Sequence, residues 1–130
     1  MFRAAPFTLA LITSAVFATA AQAAEFKPFS QAVFEAARTT GRPIVIEVNA
    51  PWCPVCASQA KTIQTTVADP AYSKLLILRI DFDTQKSEWQ RFNVTKQSTL
   101  IAFKNGREVG RVSYITDKTK IQNLLALTQG

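Results

Sequence analysis

The chain has 130 residues, 48% of them hydrophobic, with a formal charge of +6 and no histidine. That length holds at most one domain, and a scattered basic excess without blocks of like charge excludes a nucleic-acid-binding surface. The missing histidine removes Ser-His-Asp and Cys-His nucleophile systems and every His-containing metal site.

Residues 1–23 read as a secretory signal peptide. Met1, Phe2 and Arg3 make a short basic start, and Phe7 to Ala21 is almost wholly apolar or small. Ala21, Gln22 and Ala23 then supply the small-x-small pattern of a cleavage site. The apolar core is shorter than the roughly 20 residues a membrane span needs, so no stable membrane insertion is expected once the leader is cut. The domain is then residues 24–130, exported to the periplasm, an oxidising compartment in which unpaired thiols do not last.

Ser30 is placed to cap a helix carrying Val33, Phe34 and Ala37 at helical spacing, with Gly41 closing it before Pro43. Ile44 to Val48 is a β-branched apolar run interrupted by Glu47, the pattern of a buried central strand. Ala57 to Val67 reads as a helix with Ala60, Ile63 and Val67 on one face, ended by Asp69 and Pro70. Leu75 to Ile80 is a second apolar strand, followed by a polar helix from about Thr84 to Phe92. Leu100 to Phe103 and Glu108 to Tyr114 form a hairpin across Asn105 and Gly106. Asp117 caps a last helix that turns Ile121, Leu124, Leu125 and Leu127 inward, while Phe26 and Phe29 pack at the start of the domain. Strands separated by helices pair in parallel through right-handed crossovers, and the hairpin adds an antiparallel pair. The expected fold is α/β, a mixed four-stranded sheet flanked by about four helices.

The only two cysteines, Cys53 and Cys56, stand two residues apart between the first apolar strand and the helix after it. Unpaired N–H groups and the helix dipole favour negative charge at that junction, which lowers a thiol's pKa and speeds its attack on disulfides. Pro54 suits the first helical turn, where its missing N–H costs nothing. Cys56, one turn later, can reach Cys53, so one thiol attacks a partner disulfide and the other resolves the mixed disulfide. Three other readings stay open. A structural disulfide over so short a loop adds only about 2 kcal/mol. Half of a metal site would need donors from outside the pair. Two inert buried thiols is the third. Glu47 either reaches solvent at a strand end or lies buried near the dithiol with a raised pKa, able to relay a proton to or from Cys56. Arg79 on the neighbouring strand can pair with it. Trp52 is a packing aromatic or a flat rim for docking a partner chain.

This pattern resembles the thioredoxin family in an exported form, over about Phe29 to Thr128. The strand ending at Glu47 runs into Asn49, Ala50, Pro51, Trp52 and Cys53 as the family's strand runs into its Ala-x-Trp-Cys-x-x-Cys motif. Phe103, Lys104, Asn105 and Gly106 repeat the family's hairpin. The resemblance implies Cys53 as nucleophile, Cys56 as resolving thiol and Glu47 as proton relay. Trp52, Pro54, Val55, Gln97, Ser98 and Thr99 would then line the substrate surface. Two departures stand out. The dipeptide between the cysteines is Pro54 and Val55, neither the Gly-Pro of thioredoxins nor the Pro-His of strongly oxidising periplasmic enzymes. Ser98 stands where the family carries a cis-proline, so a trans bond or a strained cis bond is expected there, with a hydroxyl within reach of the Cys53 sulfur. The implied activity is thiol:disulfide exchange with cysteine-containing envelope proteins, by a monomer without a cofactor and reset by a separate redox partner. Because no cation adjoins the cysteines, the lean is to reductase or isomerase work. The alternative is a binding module of the same fold whose dithiol carries a metal ion or cluster, possibly within a dimer.

Overall fold

The computed structural model describes residues 2–5, 14–18 and 23–130. Most of the expected signal peptide, including its cleavage motif up to Gln22, lies outside the described residues. Among those described, no helix is long and apolar enough to cross a membrane.

Five strands and four helices follow in the order β1 (Glu25–Pro28), α1 (Gln31–Thr39), β2 (Ile44–Asn49), α2 (Pro54–Thr66), β3 (Leu76–Asp81), α3 (Lys86–Arg91), β4 (Thr99–Lys104), β5 (Arg107–Ser113) and α4 (Lys118–Ala126). A single 3-10 turn, Pro70–Tyr72, is capped by the Asp69 carboxylate and links α2 to β3. The sheet order is β1-β3-β2-β4-β5. β1 and β2 run parallel to β3, whereas β4 runs antiparallel to both β2 and β5.

The expected four-stranded sheet therefore has a fifth strand, β1, at its edge. Its sequence, Glu-Phe-Lys-Pro, carries a single apolar residue and shows no buried face by alternation. What places it is pairing with β3, from Glu25 opposite Leu76 to Pro28 opposite Arg79, helped by ion pairs from Glu25 to Lys27 and Arg42. Phe26, on this edge, is 46% exposed, so of the two expected packing aromatics only Phe29 is buried.

Strand alternation divides the core into two layers. Ile44, Ile46 and Val48 of β2 face Phe34 and Ala37 of α1 and Trp89 of α3. Val45 faces the other way, towards Ile63 of α2 and Ile121, Leu124 and Leu125 of α4. Leu127, expected inside, is half exposed because α4 ends at Ala126 and the chain turns away. Asn105 and Gly106 take φ of 51° and 78°, the two left-handed residues of a primed hairpin turn. They fold β5 back along β4, which itself runs antiparallel beside β2, so that the loop preceding β4 lies against the end of β2, where the cysteines are.

Candidate active site

α2 begins three residues earlier than its apolar periodicity indicates, because its first turn is the cysteine motif itself. Cys53 is the N-cap, in extended geometry, and its sulfur accepts the backbone N–H of Cys56 at 3.1 Å. Pro54 occupies the first turn, where no N–H is needed. A sulfur that fills the place of a capping oxygen sits where the helix's free N–H groups favour a negative charge.

Both cysteines are free thiols and both are buried. Ala50, Val55 and Phe82 pack around them. The side chain of Ser98, which has no exposed surface, lies between them: its Oγ is 3.1 Å from the Cys53 sulfur and 2.9 Å from that of Cys56. Burial alone would raise the Cys53 pKa. Hydrogen bonds from the Cys56 thiol, the Ser98 hydroxyl and the N–H groups of Cys56 and Val55 outweigh it and hold the Cys53 thiol below its ordinary value. The Cys56 thiol is pushed up, first by burial and then by the neighbouring Cys53 sulfur. The pair is thus unequal: of the two thiols, Cys53 is the one that ionises more readily.

Ser98 is held in an uncommon backbone geometry. The peptide bond before it is trans and its φ is 62°, in the left-handed region, which costs a non-glycine residue about 1 kcal/mol. Three hydrogen bonds keep it there. Its N–H donates to the Val48 carbonyl at 2.8 Å, and its own carbonyl accepts from the Tyr114 N–H at 2.9 Å and from Gln59 Nε2 at 3.0 Å. Gln59 also donates to the Ile115 carbonyl at 2.9 Å. This buried glutamine of α2, one turn beyond Cys56, is a site residue the sequence reading missed. Its signal was a long polar side chain on the same helix face as Ile63.

The other expected residues divide. Trp52 is 59% exposed, and its indole N–H donates to Asp83 Oδ2 at 2.9 Å, which holds the ring as a rim beside Cys53. Asp83, just past β3, was also missed. Pro54 is exposed and Val55 and Gln97 are half-buried at the same surface. Thr99 is buried and turned away from the sulfurs, its hydroxyl bonded to the Lys96 carbonyl and to Ser113 Oγ. Its side chain ties the loop before β4 to β5.

Glu47 is buried, with one carboxylate oxygen 2.9 Å from an Arg79 guanidinium nitrogen. No hydrogen bond joins it to either sulfur. Burial raises its pKa above the ordinary carboxylate value, and Arg79 only partly offsets this. Between the unfolded and the raised folded pKa, the folded chain keeps a proton that the unfolded chain has released. Stability therefore falls as pH rises through that window, and the full cost persists above it. Glu47→Gln, which can still accept from Arg79, is expected to stabilise the protein at neutral pH by about 1–2 kcal/mol and to flatten the slope. Urea unfolding across mildly acidic to neutral pH measures both.

Cys53 also borders a surface hollow shared with Asn49, Pro51, Lys61 and Arg79. Among the described residues, no cluster of three or more His, Cys, Asp or Glu could hold a metal ion. A metal on this dithiol would take further donors from Ser98 or from outside the chain.

The arrangement of a strand end, a capping thiol and a second thiol one turn on has counterparts in known proteins. A family model described as Thioredoxin matches residues 22–127. The thioredoxin of Chlamydia muridarum is 29% identical over 66% of this chain and 82% of its own length. That of Echinococcus granulosus is 32% identical over 60% of this chain and 71% of its own. The crystal structure of Trxlp from Edwardsiella tarda EIB202 superposes with a TM-score of 0.75 at 39% identity, over 78% of this chain and 98% of that one. Sequence match, superposition and the adjacent thiols agree: the chain belongs to the thioredoxin family of thiol:disulfide oxidoreductases.

Proposed function

We propose that the protein exchanges disulfides with cysteine-containing proteins of the cell envelope, with Cys53 as nucleophile and Cys56 as resolving thiol. The observation that carries this reading is the inequality of the two sulfurs: Cys53 caps α2 and accepts the Cys56 N–H at 3.1 Å, and its pKa is lowered while that of Cys56 is raised although both are buried. The Cys53 thiolate attacks a partner disulfide, one partner sulfur leaves and takes a proton, and a mixed disulfide forms. Cys56 then loses its proton and attacks the Cys53 sulfur, releasing the second partner thiol and closing the Cys53–Cys56 disulfide. Glu47 is the buried carboxylate assigned to exchange protons with this step, because its raised pKa lets it hold one. Trp52, Pro54, Val55 and the backbone around Gln97 and Ser98 form the surface on which the partner chain lies. The leader-like sequence of residues 1–23 supports location in the periplasm, and a separate redox protein would reset the dithiol.

Cys56→Ser tests the proposal, since without the resolving thiol the mixed disulfide cannot collapse. Expressed with its leader in a bacterial envelope, this variant is expected to accumulate reductant-sensitive adducts through Cys53, and mass spectrometry of the released proteins names the partners. No adducts, or adducts only in material left in the cytoplasm, would count against it.

A further inference from the structure

We propose that the Ser98 hydroxyl is a catalytic residue that stabilises the Cys53 thiolate and so biases the dithiol toward its reduced form, making the protein a stronger acceptor of electrons from partner thiols. The proposal rests on the exchange function above and adds a direction to it.

The geometry leaves the hydroxyl little else to do. Its recorded partners are the two sulfurs, at 3.1 Å and 2.9 Å, and the residue has no exposure to water. A hydroxyl has one proton to give and two lone pairs to accept with. With the charge on Cys53, the Ser98 O–H donates to the Cys53 sulfur, and the single Cys56 S–H proton is shared between that sulfur and the Ser98 oxygen. Every proton and acceptor in this chain is matched when the dithiol carries one negative charge, on Cys53. The opposite polarity would put the charge on Cys56, away from the backbone N–H that caps Cys53 at 3.1 Å. The directions of the two thiol pKa values agree with this polarity.

Oxidation dismantles the chain. A partner thiolate attacks the Cys53–Cys56 disulfide at Cys53, the S–S bond breaks, and Cys56 leaves with the electron pair and takes up a proton. The partner's second thiolate attacks its own sulfur in the mixed disulfide and releases Cys53 as a thiolate. Two electrons enter the dithiol, the partner gains a disulfide, and of the two protons given up by the partner's thiols one stays on Cys56 and one goes to solvent. The Ser98 O–H gains a charged acceptor only in the reduced product. In the disulfide it faces two neutral sulfurs at a buried position, and a buried donor without a good acceptor is costly. The hydroxyl therefore favours electron uptake, against the reductive lean expected from the sequence.

The backbone supports a dedicated role. A serine is kept at φ 62° by hydrogen bonds from β2, α2 and the segment after β5, and strain held in place this way is characteristic of functional positions. The other ionisable groups around Cys53 are Cys56 on α2, Lys61 and Arg79 in the adjoining hollow, and Glu47 beneath, held by Arg79.

Ser98→Ala and Ser98→Gly in the full chain test the proposal together. Alanine keeps the backbone strain, glycine relieves it, and both delete the hydroxyl. Two readouts serve: ultraviolet titration of the thiolate, and the equilibrium with reduced and oxidised glutathione. Both variants are expected to titrate Cys53 at higher pH and to move about tenfold toward the disulfide, roughly 30 mV more reducing for this two-electron couple. Unshifted values, or shifts that follow glycine against alanine, would overturn the hydroxyl's role while leaving exchange intact. A wild-type chain that does not exchange with glutathione at all would instead overturn the exchange function and the electron-acceptor half of this proposal with it.

Discussion

Cys53→Ser is expected to stop catalysed disulfide exchange, lowering the rate of reduction of a small protein disulfide by at least about 10³-fold, to the level of the uncatalysed reaction with dithiothreitol. A serine oxygen is not ionised at neutral pH and cannot form the mixed disulfide, so no smaller effect is consistent with the assignment. The fold should survive. The side chains are close in size, and a serine oxygen can take over the N-cap bond that the Cys53 sulfur accepts from the Cys56 N–H. Circular dichroism and urea unfolding should therefore match the wild type within about 1 kcal/mol. The contrast with Cys56→Ser is informative, because that variant keeps the attacking sulfur and should react once per chain without turning over. Residual turnover in Cys53→Ser above the reagent blank would mean that Cys56 can act as nucleophile, contrary to its raised pKa.

Ser98→Val has the largest expected effect on stability. A β-branched residue at φ 62° is a strained outlier, and the extra methyl groups enter a site with no free surface between two sulfurs. Strain and overpacking together are expected to destabilise the fold by about 3 kcal/mol, or a melting point lower by about 10 °C or more for a domain of this size. Ser98→Gly, which accepts the left-handed backbone without penalty, should stay within about 1 kcal/mol of the wild type. Thermal and urea unfolding of the two variants side by side decide the matter. Equal stability for valine and glycine would mean that the loop does not hold the left-handed geometry.

The parts of this site that were legible in the sequence are those built from local chemistry. Ser30 and Asp117 cap α1 and α4 through their side chains, as their positions before apolar periodicity indicated. Asn105 and Gly106 form their turn because those two residues tolerate positive φ. Cys53, placed between a strand and a helix, becomes the cap of that helix. Glu47 and Arg79 pair as adjacent positions on parallel strands, and the register sets them opposite each other.

What was hidden depends on distant partners. β1 carries one apolar residue in four and is a strand only because β3 offers it an edge. Gln59 is tied to the carbonyls of Ser98 and Ile115, 39 and 56 residues away, so nothing in its own neighbourhood shows why a buried helix face tolerates an amide. Ser98 was placed at the site by family resemblance, and its hydroxyl was expected to reach Cys53. The second contact, to Cys56, and the left-handed backbone that produces it were not visible, because serine has no preference of its own for positive φ. Thr99, counted with the substrate surface, has its hydroxyl bonded to the Lys96 carbonyl in the loop before β4 and to Ser113 across the hairpin, partners that its own sequence neighbourhood does not show.

The central claim is that the two buried thiols are unequal and that Cys53 carries the charge. Alkylation of the reduced full-length protein with limiting iodoacetamide at neutral pH, followed by peptide mapping, tests it most directly, because only a thiolate reacts at an appreciable rate. A single label on Cys53, with Cys56 unmodified until the chain is unfolded, is the expected result. Labelling of Cys56 first, or of both cysteines at equal rates, would contradict the account.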